Sequence, residues 1–397
     1  PLWGGLGSAA YHLCASLSDM GHEITIITRK MKNIKRPVIK NVNIIEVNWL
    51  YAPMMFTRSY GKNAIKSLKK INSIKSIDII HLHFPLIALT EKEILSLREN
   101  IAPVITSLHG SWLGERDGIM AARTHKESAV WKNPNDLAIL LTAKYYSKYE
   151  TAAAKASNLC VANSFSTKDD FKSRYSLPNN WNCEVIHWGV DEMLFRPINH
   201  DDEDEQLSYE AIRKKFGADD NDALIGNKKS KTPLLLAVGR LAARKGFRFL
   251  LNAMPQVITK YPKVKLVIIG RGNMYKTLKK QAKKLGISNS IIIESGMEFN
   301  DLATCYRSAD LVIYPSYYEG QGLIPLEAMA SGTPVVTVNQ GPLNEMVDES
   351  VGALYSIGDY NNLANEIIKE LNDPNLREKQ AKNGRERILI ESTFTQE

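Results

Sequence analysis

The residues best suited to chemistry in this 397-residue chain lie between Tyr314 and Val336, in the string Y-P-S-Y-Y-E-G-Q-G-L-I-P-L-E-A-M-A-S-G-T-P-V-V. Two carboxylates, Glu319 and Glu327, bracket a glycine-rich loop and a short helix. On a loop at the carboxyl edge of an open α/β sheet, where ligands bind, Glu319 faces the ligand. Glu327, about two helical turns further on, reaches a hydroxyl such as a ribose. The free amides at the helix N-terminus favour a phosphate.

The elements that must hold these groups are legible around them. Leu311-Val312-Ile313-Tyr314 reads as a buried strand, and Pro315, Gly320 and Gly322 break the chain into a loop. Pro325 suits the first turn of a helix whose body is Leu326 to Ala330, and Ser331-Gly332 close it. Pro334 leads into a second strand at Val335-Val336. A further buried strand, Leu234 to Val238, runs into Gly239-Arg240-Leu241 and then Arg244-Lys245-Gly246. Arg240 offers a planar fork and Lys245 a point charge on the same carboxyl edge, a complementary pair for phosphate oxygens. Two basic residues alone would read as surface charges. Val264 to Ile269 is another strand, and the G-x-G at Gly270-Arg271-Gly272 simply ends it.

The string E-G-x-G-L-x-x-x-E-A-M-A-x-G-x-P-V-V resembles the donor-site signature of retaining, nucleotide-sugar-dependent glycosyltransferases with two Rossmann-like domains, closest to glycosyltransferase family four, or group one. The resemblance extends over nearly the whole chain. It implies an α/β fold of two Rossmann-like domains facing each other across a cleft, the GT-B architecture. It also implies that Glu319 lies against the donor sugar, that the amides of Gly322 and Leu323 hold the diphosphate, and that Glu327 bonds the ribose. The segment Gly239-Arg240-Leu241 to Lys245-Gly246 is similar to the family's G-R-L-x-x-x-K-G, whose arginine and lysine grip the diphosphate. Pro1 to Gly7 resembles the family's diphosphate- and acceptor-side loop, which assigns Gly4 and Gly5 to the donor. His109-Gly110, after the strand Val104 to Leu108, stands where a family histidine contacts the donor sugar, while His83 reads as a packing residue. Gly189-Val190-Asp191 matches the family's closing turn of the first domain, with His187 where asparagine is common.

Helices are expected from about Ser8 to Met20 and from Asp136 to Lys155, the first after a loop at Pro1–Gly7, and Ser166 with Asp169 is expected to cap another. Gly110 to Ala121 and the polar stretch beyond it are assigned to a variable acceptor wall. Asp201 to Glu205 reads as a solvated linker rather than a metal-binding D-x-D, which puts the boundary between domains 1–197 and 198–397. Family members carry a strand before residue 1 and a helix after residue 397, so both ends are expected to be clipped.

Composition bounds the function. With 44% hydrophobic and 24% charged residues the chain is that of a soluble globular protein of two domains. Cys14, Cys160, Cys183 and Cys305 have no metal-ligand spacing and read as thiols of a reducing, cytoplasmic compartment. The net charge of +8 comes with no nucleic-acid motif, so no nucleic-acid partner is expected. Its N-terminal part, through Arg36 and in Lys62, Lys66, Lys69 and Lys70, is a solvated face or, with Met54-Met55-Phe56 between the clusters, a peripheral contact with anionic lipid at the inner face of a membrane.

The expected reaction is retaining transfer of a hexose from a nucleotide diphosphate sugar to the hydroxyl of a glycan, glucan, lipid-linked or small-molecule acceptor. Glu319 and His109 are the catalytic candidates, and Arg240 with Lys245 replace a metal, so no cofactor is expected. The rivals are a nucleotide-sugar epimerase, a glucan phosphorylase-like enzyme, whose lysine motif for pyridoxal phosphate is not found, and an inactive binding homologue.

Overall fold

Continuous apolar runs make strands that are buried on both faces, and such strands pair in parallel beneath flanking helices. The computed structural model, which describes residues 5–31, 36, 38–52, 55–127, 133–218, 224–225, 228–229 and 232–391, is built this way twice. The chain divides into two units, one of residues 5–116 and 137–188, the other of 117–136 and 189–391.

In the first unit, helix α1 (Gly5–Asp19) precedes the parallel pair β1 (Ile24–Arg29) and β2 (Val42–Val47). Helix α2 (Phe56–Asn72) leads to β3 (Ile80–Phe84), α3 (Glu91–Asn100) to β4 (Val104–Leu108), and α4 (Trp112–Thr124), most of which belongs to the other unit, and α5 (Pro134–Ala156) to β5 (Leu159–Ala162). Helix α6 (Phe165–Arg174) then leads to β6 (Cys183–Val185), and β3 to β6 form a parallel sheet in sequence order. Its core holds Phe84, Leu89, Ile94, Leu108 and Phe171.

Two expectations shift here. The first helix begins at Gly5, within the segment read as loop, and ends at Asp19. The cap of α6 is Ser164, whose hydroxyl accepts the Thr167 amide at 2.9 Å, two residues before the serine expected in that role. Ser164 holds the extended backbone that an N-cap needs, which lets its oxygen turn back to the third amide of the helix.

In the second unit, α7 (Glu203–Lys215) is followed by the antiparallel pair β7 (Leu224–Ile225) and β8 (Lys228–Lys229), then β9 (Leu234–Val238) and α8 (Phe247–Lys260). There follow β10 (Lys265–Ile269), α9 (Tyr275–Lys284), β11 (Ile291–Glu294), α10 (Phe299–Ser308), β12 (Leu311–Tyr314), α11 (Leu323–Ala330) and β13 (Val335–Val338). The last elements are α12 (Leu343–Met346), β14 (Gly352–Tyr355), α13 (Tyr360–Asn372) and α14 (Pro374–Glu391). Six strands form a parallel sheet in the order β11-β10-β9-β12-β13-β14. The order reverses between β9 and β12, so their carboxyl ends open the crevice that doubly wound sheets use for ligands.

The acidic run read as linker is instead the start of α7. Asp202 caps it, accepting the amides of Asp204 and Glu205 at 3.0 and 3.1 Å. Carboxylates in a first turn are stabilised by the helix dipole. Glu205 also pairs with Arg196, and its carboxylate lies 3.7 Å from Arg307.

Candidate active site

The loops after β9 and β12, neighbouring strands at the reversal, carry most of the expected donor residues. After β9 the chain passes Gly239 and the exposed Arg240, then makes a single 3-10 turn at Ala243–Lys245. Gly246 closes that turn at φ +69°, and a Cβ there would lie 2.0 Å from the carbonyl oxygen of Pro315. Only glycine permits this approach, which presses the first loop against the second. The Tyr317 amide donates to the Arg244 carbonyl at 2.8 Å, and the Arg244 guanidinium donates to the Tyr318 carbonyl at 3.2 Å.

Within this junction the buried Lys245 and the nearly buried Glu319 form an ion pair. The Glu319 carboxylate also accepts the Tyr314 hydroxyl at 2.7 Å and the Ser316 hydroxyl, with Arg244 3.8 Å away. Lys245 donates to the Tyr314 hydroxyl as well, at 2.9 Å. Burial alone would raise the Glu319 pKa, but Lys245 and Arg244 hold it at about 2. Burial lowers Lys245 to about 8 against the pull of Glu319. The two shifts run in opposite senses for the strength of the pair, yet both leave it charged at neutral pH.

Gly322, at φ +100°, starts α11, and Leu323 is its first residue. A Cβ on Gly322 would lie 3.4 Å from the Tyr314 ring and 3.7 Å from Glu319, so loop and helix start are packed onto the same carboxylate. The junction thus brings Lys245, Glu319 and the start of α11 together, with Arg240 near enough to help lower the Lys245 pKa. Glu327 lies further along α11, where burial raises its carboxyl to about 7 and the Tyr306 hydroxyl, 2.6 Å away, opposes that rise. Positive charge beside free helix amides is an anion site, and the carboxylates beside it accept hydroxyls.

His109 belongs to the other unit, as does Gly5, and Gly4 lies outside the described residues. His109 follows β4, with its ring 5.1 Å from that of Trp188 and its Nε2 3.0 Å from Nδ1 of His83. Its Nδ1 is buried with no hydrogen-bond partner among the described residues. Burial, reinforced by the neighbouring imidazoles, pushes His109 well below the usual range and His83 down to about 3, so both rings are neutral. His83, read as a packing residue, therefore also hydrogen-bonds the candidate.

Two carboxylates escaped sequence reasoning. Glu127 accepts the amide of Arg248 at 3.1 Å and that of Phe249, which start α8, and the Tyr317 hydroxyl lies 3.3 Å away. It thereby fastens residues 117–127 to the unit that carries the donor loops. Glu150 accepts the Trp112 amide at 3.0 Å, opening α4, and the hydroxyl of Tyr175. Burial lifts each to about 8. Their partners lie 25 to 190 residues away, beyond the reach of any local pattern. Among the described residues no group of three or more His, Cys, Asp or Glu side chains is arranged to hold a metal, and no helix is long and apolar enough to cross a membrane.

Two parallel Rossmann-like sheets, one of them reversing its strand order between β9 and β12, are those of the GT-B glycosyltransferase fold. A profile described as "Glycosyl transferases group 1" matches residues 219–387, and one described as "Glycosyltransferase Family 4" matches residues 3–193. The chain belongs to this family of enzymes. It is similar to an uncharacterised glycosyltransferase of Methanocaldococcus jannaschii, with 27% identity over 359 residues, 89% of this chain and 81% of the relative. Among solved structures it is similar to sucrose-phosphate synthase from Thermosynechococcus elongatus, with a TM-score of 0.75 and 21% identity over 98% of this chain and 90% of the other. HepE of Anabaena, solved in complex with UDP and glucose, superposes with a TM-score of 0.68 and 18% identity over 99% of this chain and 93% of the other.

Proposed function

We propose that this glycosyltransferase moves a hexose from a nucleotide diphosphate sugar to an acceptor hydroxyl with retention at the anomeric carbon, and that it does so without a metal. The observation that carries this reading is the junction of the β9 and β12 loops, where Lys245 and Arg244 flank Glu319 beside the start of α11. As the anomeric bond breaks, negative charge grows on the leaving diphosphate, and fixed cations and amides stabilise it without reorganising. Arg240, Lys245 and the amides of Gly322 and Leu323 take that role. Glu327 accepts a ribose hydroxyl, and Glu319 with His109 positions the oxocarbenium-like sugar. That HepE was solved with UDP and glucose supports a nucleotide-sugar donor here.

The acceptor is a glycan, a glucan, a lipid-linked molecule or a small molecule. Four cysteines without a disulfide support a reducing, cytoplasmic setting. A lipid-facing acceptor is favoured by one surface: Lys62, Lys66, Lys69 and Lys70 are exposed on α2, and Leu50, Tyr51 and Met55 are exposed just before it. Sedimentation with vesicles containing anionic lipid, but not with neutral ones, is the expected result of that contact.

Incubation with a panel of UDP-, GDP- and ADP-linked hexoses tests the main reading. Slow release of one nucleoside diphosphate, with the α-configured sugar retained in the product, is expected. Epimerised donor would favour the epimerase, and an unchanged panel would favour a binding protein.

A further inference from the structure

Glu327 makes one side-chain hydrogen bond among the described residues, and it is to Tyr306 of α10, whose hydroxyl lies 2.6 Å from Oε2. Tyr306 is fully buried. Its ring meets Phe195 edge-on at 5.6 Å, and its carbonyl accepts the Thr333 hydroxyl at 2.7 Å, so both ring and backbone are fixed. Burial and the neighbouring carboxylate hold its phenol well above the usual range, so it stays protonated and is a permanent donor.

We propose that Tyr306 is a positioning residue for nucleotide binding: its hydroxyl occupies Oε2 of Glu327 and leaves Oε1 to accept a hydrogen bond from the ribose. This rests on the reading of Glu327 as the ribose acceptor. A carboxylate accepts from a hydroxyl best when ionised. Burial drives Glu327 towards its neutral form, to about 7, and the Tyr306 bond is what opposes it. The other elements packed on α11 bring no cation into contact with Glu327 among the described residues. Tyr314 of β12 spends its hydroxyl on Glu319, Thr337 of β13 bonds the Tyr314 carbonyl, Leu343 of α12 meets the helix start, and Arg385 of α14 bonds the Ala330 carbonyl at 3.0 Å. Removing the phenol oxygen therefore leaves a buried carboxyl that keeps its proton at neutral pH.

The test is calorimetric titration of the full chain with UDP, GDP and ADP, taking the tightest of the three from pH 5.5 to 9, for the parent, Tyr306→Phe and Glu327→Gln. Parent affinity should rise with pH through a midpoint near 7 and level off above it. Tyr306→Phe keeps the ring, so the fold is retained. Its midpoint should move up by about one pH unit, with binding about fivefold weaker at pH 7 and close to parental at pH 9. Glu327→Gln should bind weakly at every pH. A Tyr306→Phe profile with the parental midpoint, whether or not weakened throughout, overturns the positioning role. If Glu327→Gln binds as the parent does, or none of the three nucleotides binds, the ribose reading itself has failed, and the proposal with it.

Discussion

At the scale of single residues the donor junction turns on Glu319 and Lys245. A buried ion pair gives little net stability, but removing one partner strands the other charge, at a cost of about 3 to 5 kcal/mol. Glu319→Ala should therefore lower both turnover and melting temperature. Glu319→Gln, which keeps acceptor capacity toward Lys245 and Tyr314, should lose less stability while still losing turnover more than donor affinity. A thermal melt beside a kcat and KM measurement separates the two effects; a Glu319→Gln variant with parental kcat and raised KM would show that the carboxylate only binds. Both glutamates and the lysine were legible as residues because loop glycines and a helix start flank them. That Glu319 and Lys245 share the Tyr314 hydroxyl, and that Glu319 also takes the Ser316 hydroxyl, was not, since a tyrosine ending a strand looks like any other core aromatic.

At the scale of elements, strands such as Leu234–Val238 and Leu311–Tyr314 were legible because burial on both faces forces an uninterrupted apolar run. Val42–Val47 breaks its run with Asn43 and Glu46 and offers no such signal. The loops between strands obey contacts that only the packed sheet creates. Gly246→Ala would put a methyl group against the Pro315 carbonyl at positive φ, where the left-handed penalty alone is about 1 to 2 kcal/mol. It should lower the melting temperature and abolish donor turnover by forcing the two loops apart; parental activity would show the approach to be unnecessary. The cap of α4 gives a pH prediction. Burial raises Glu150 to about 8 in the folded chain, so the folded state binds more protons than the unfolded one between pH 4.5 and 8. Its contribution is complete below pH 4.5 and is lost as pH rises through 8. Glu150→Gln should reduce the fall in melting temperature between pH 5 and 8.5, and an unchanged slope would mean that Glu150 is ionised in the folded chain.

At the scale of the whole molecule, both parallel sheets and the family were legible, because the motifs fall at strand ends whose order the topology then dictates. The expected boundary at residue 198 lies near the point where the second unit resumes, at residue 189. Residues 117–136 join that unit as well, partly through Glu127 and the start of α8, a link set by tertiary packing alone. The central claim is that fixed cations at the β9 and β12 loops carry the leaving diphosphate in place of a metal. It is tested most directly by following nucleoside diphosphate release from the preferred donor in excess chelator, for the parent, Arg240→Ala and Lys245→Ala. Release by the parent should survive the chelator, and it should fall roughly ten- to a thousand-fold in each variant. Release that stops in chelator and returns with magnesium or manganese would contradict it.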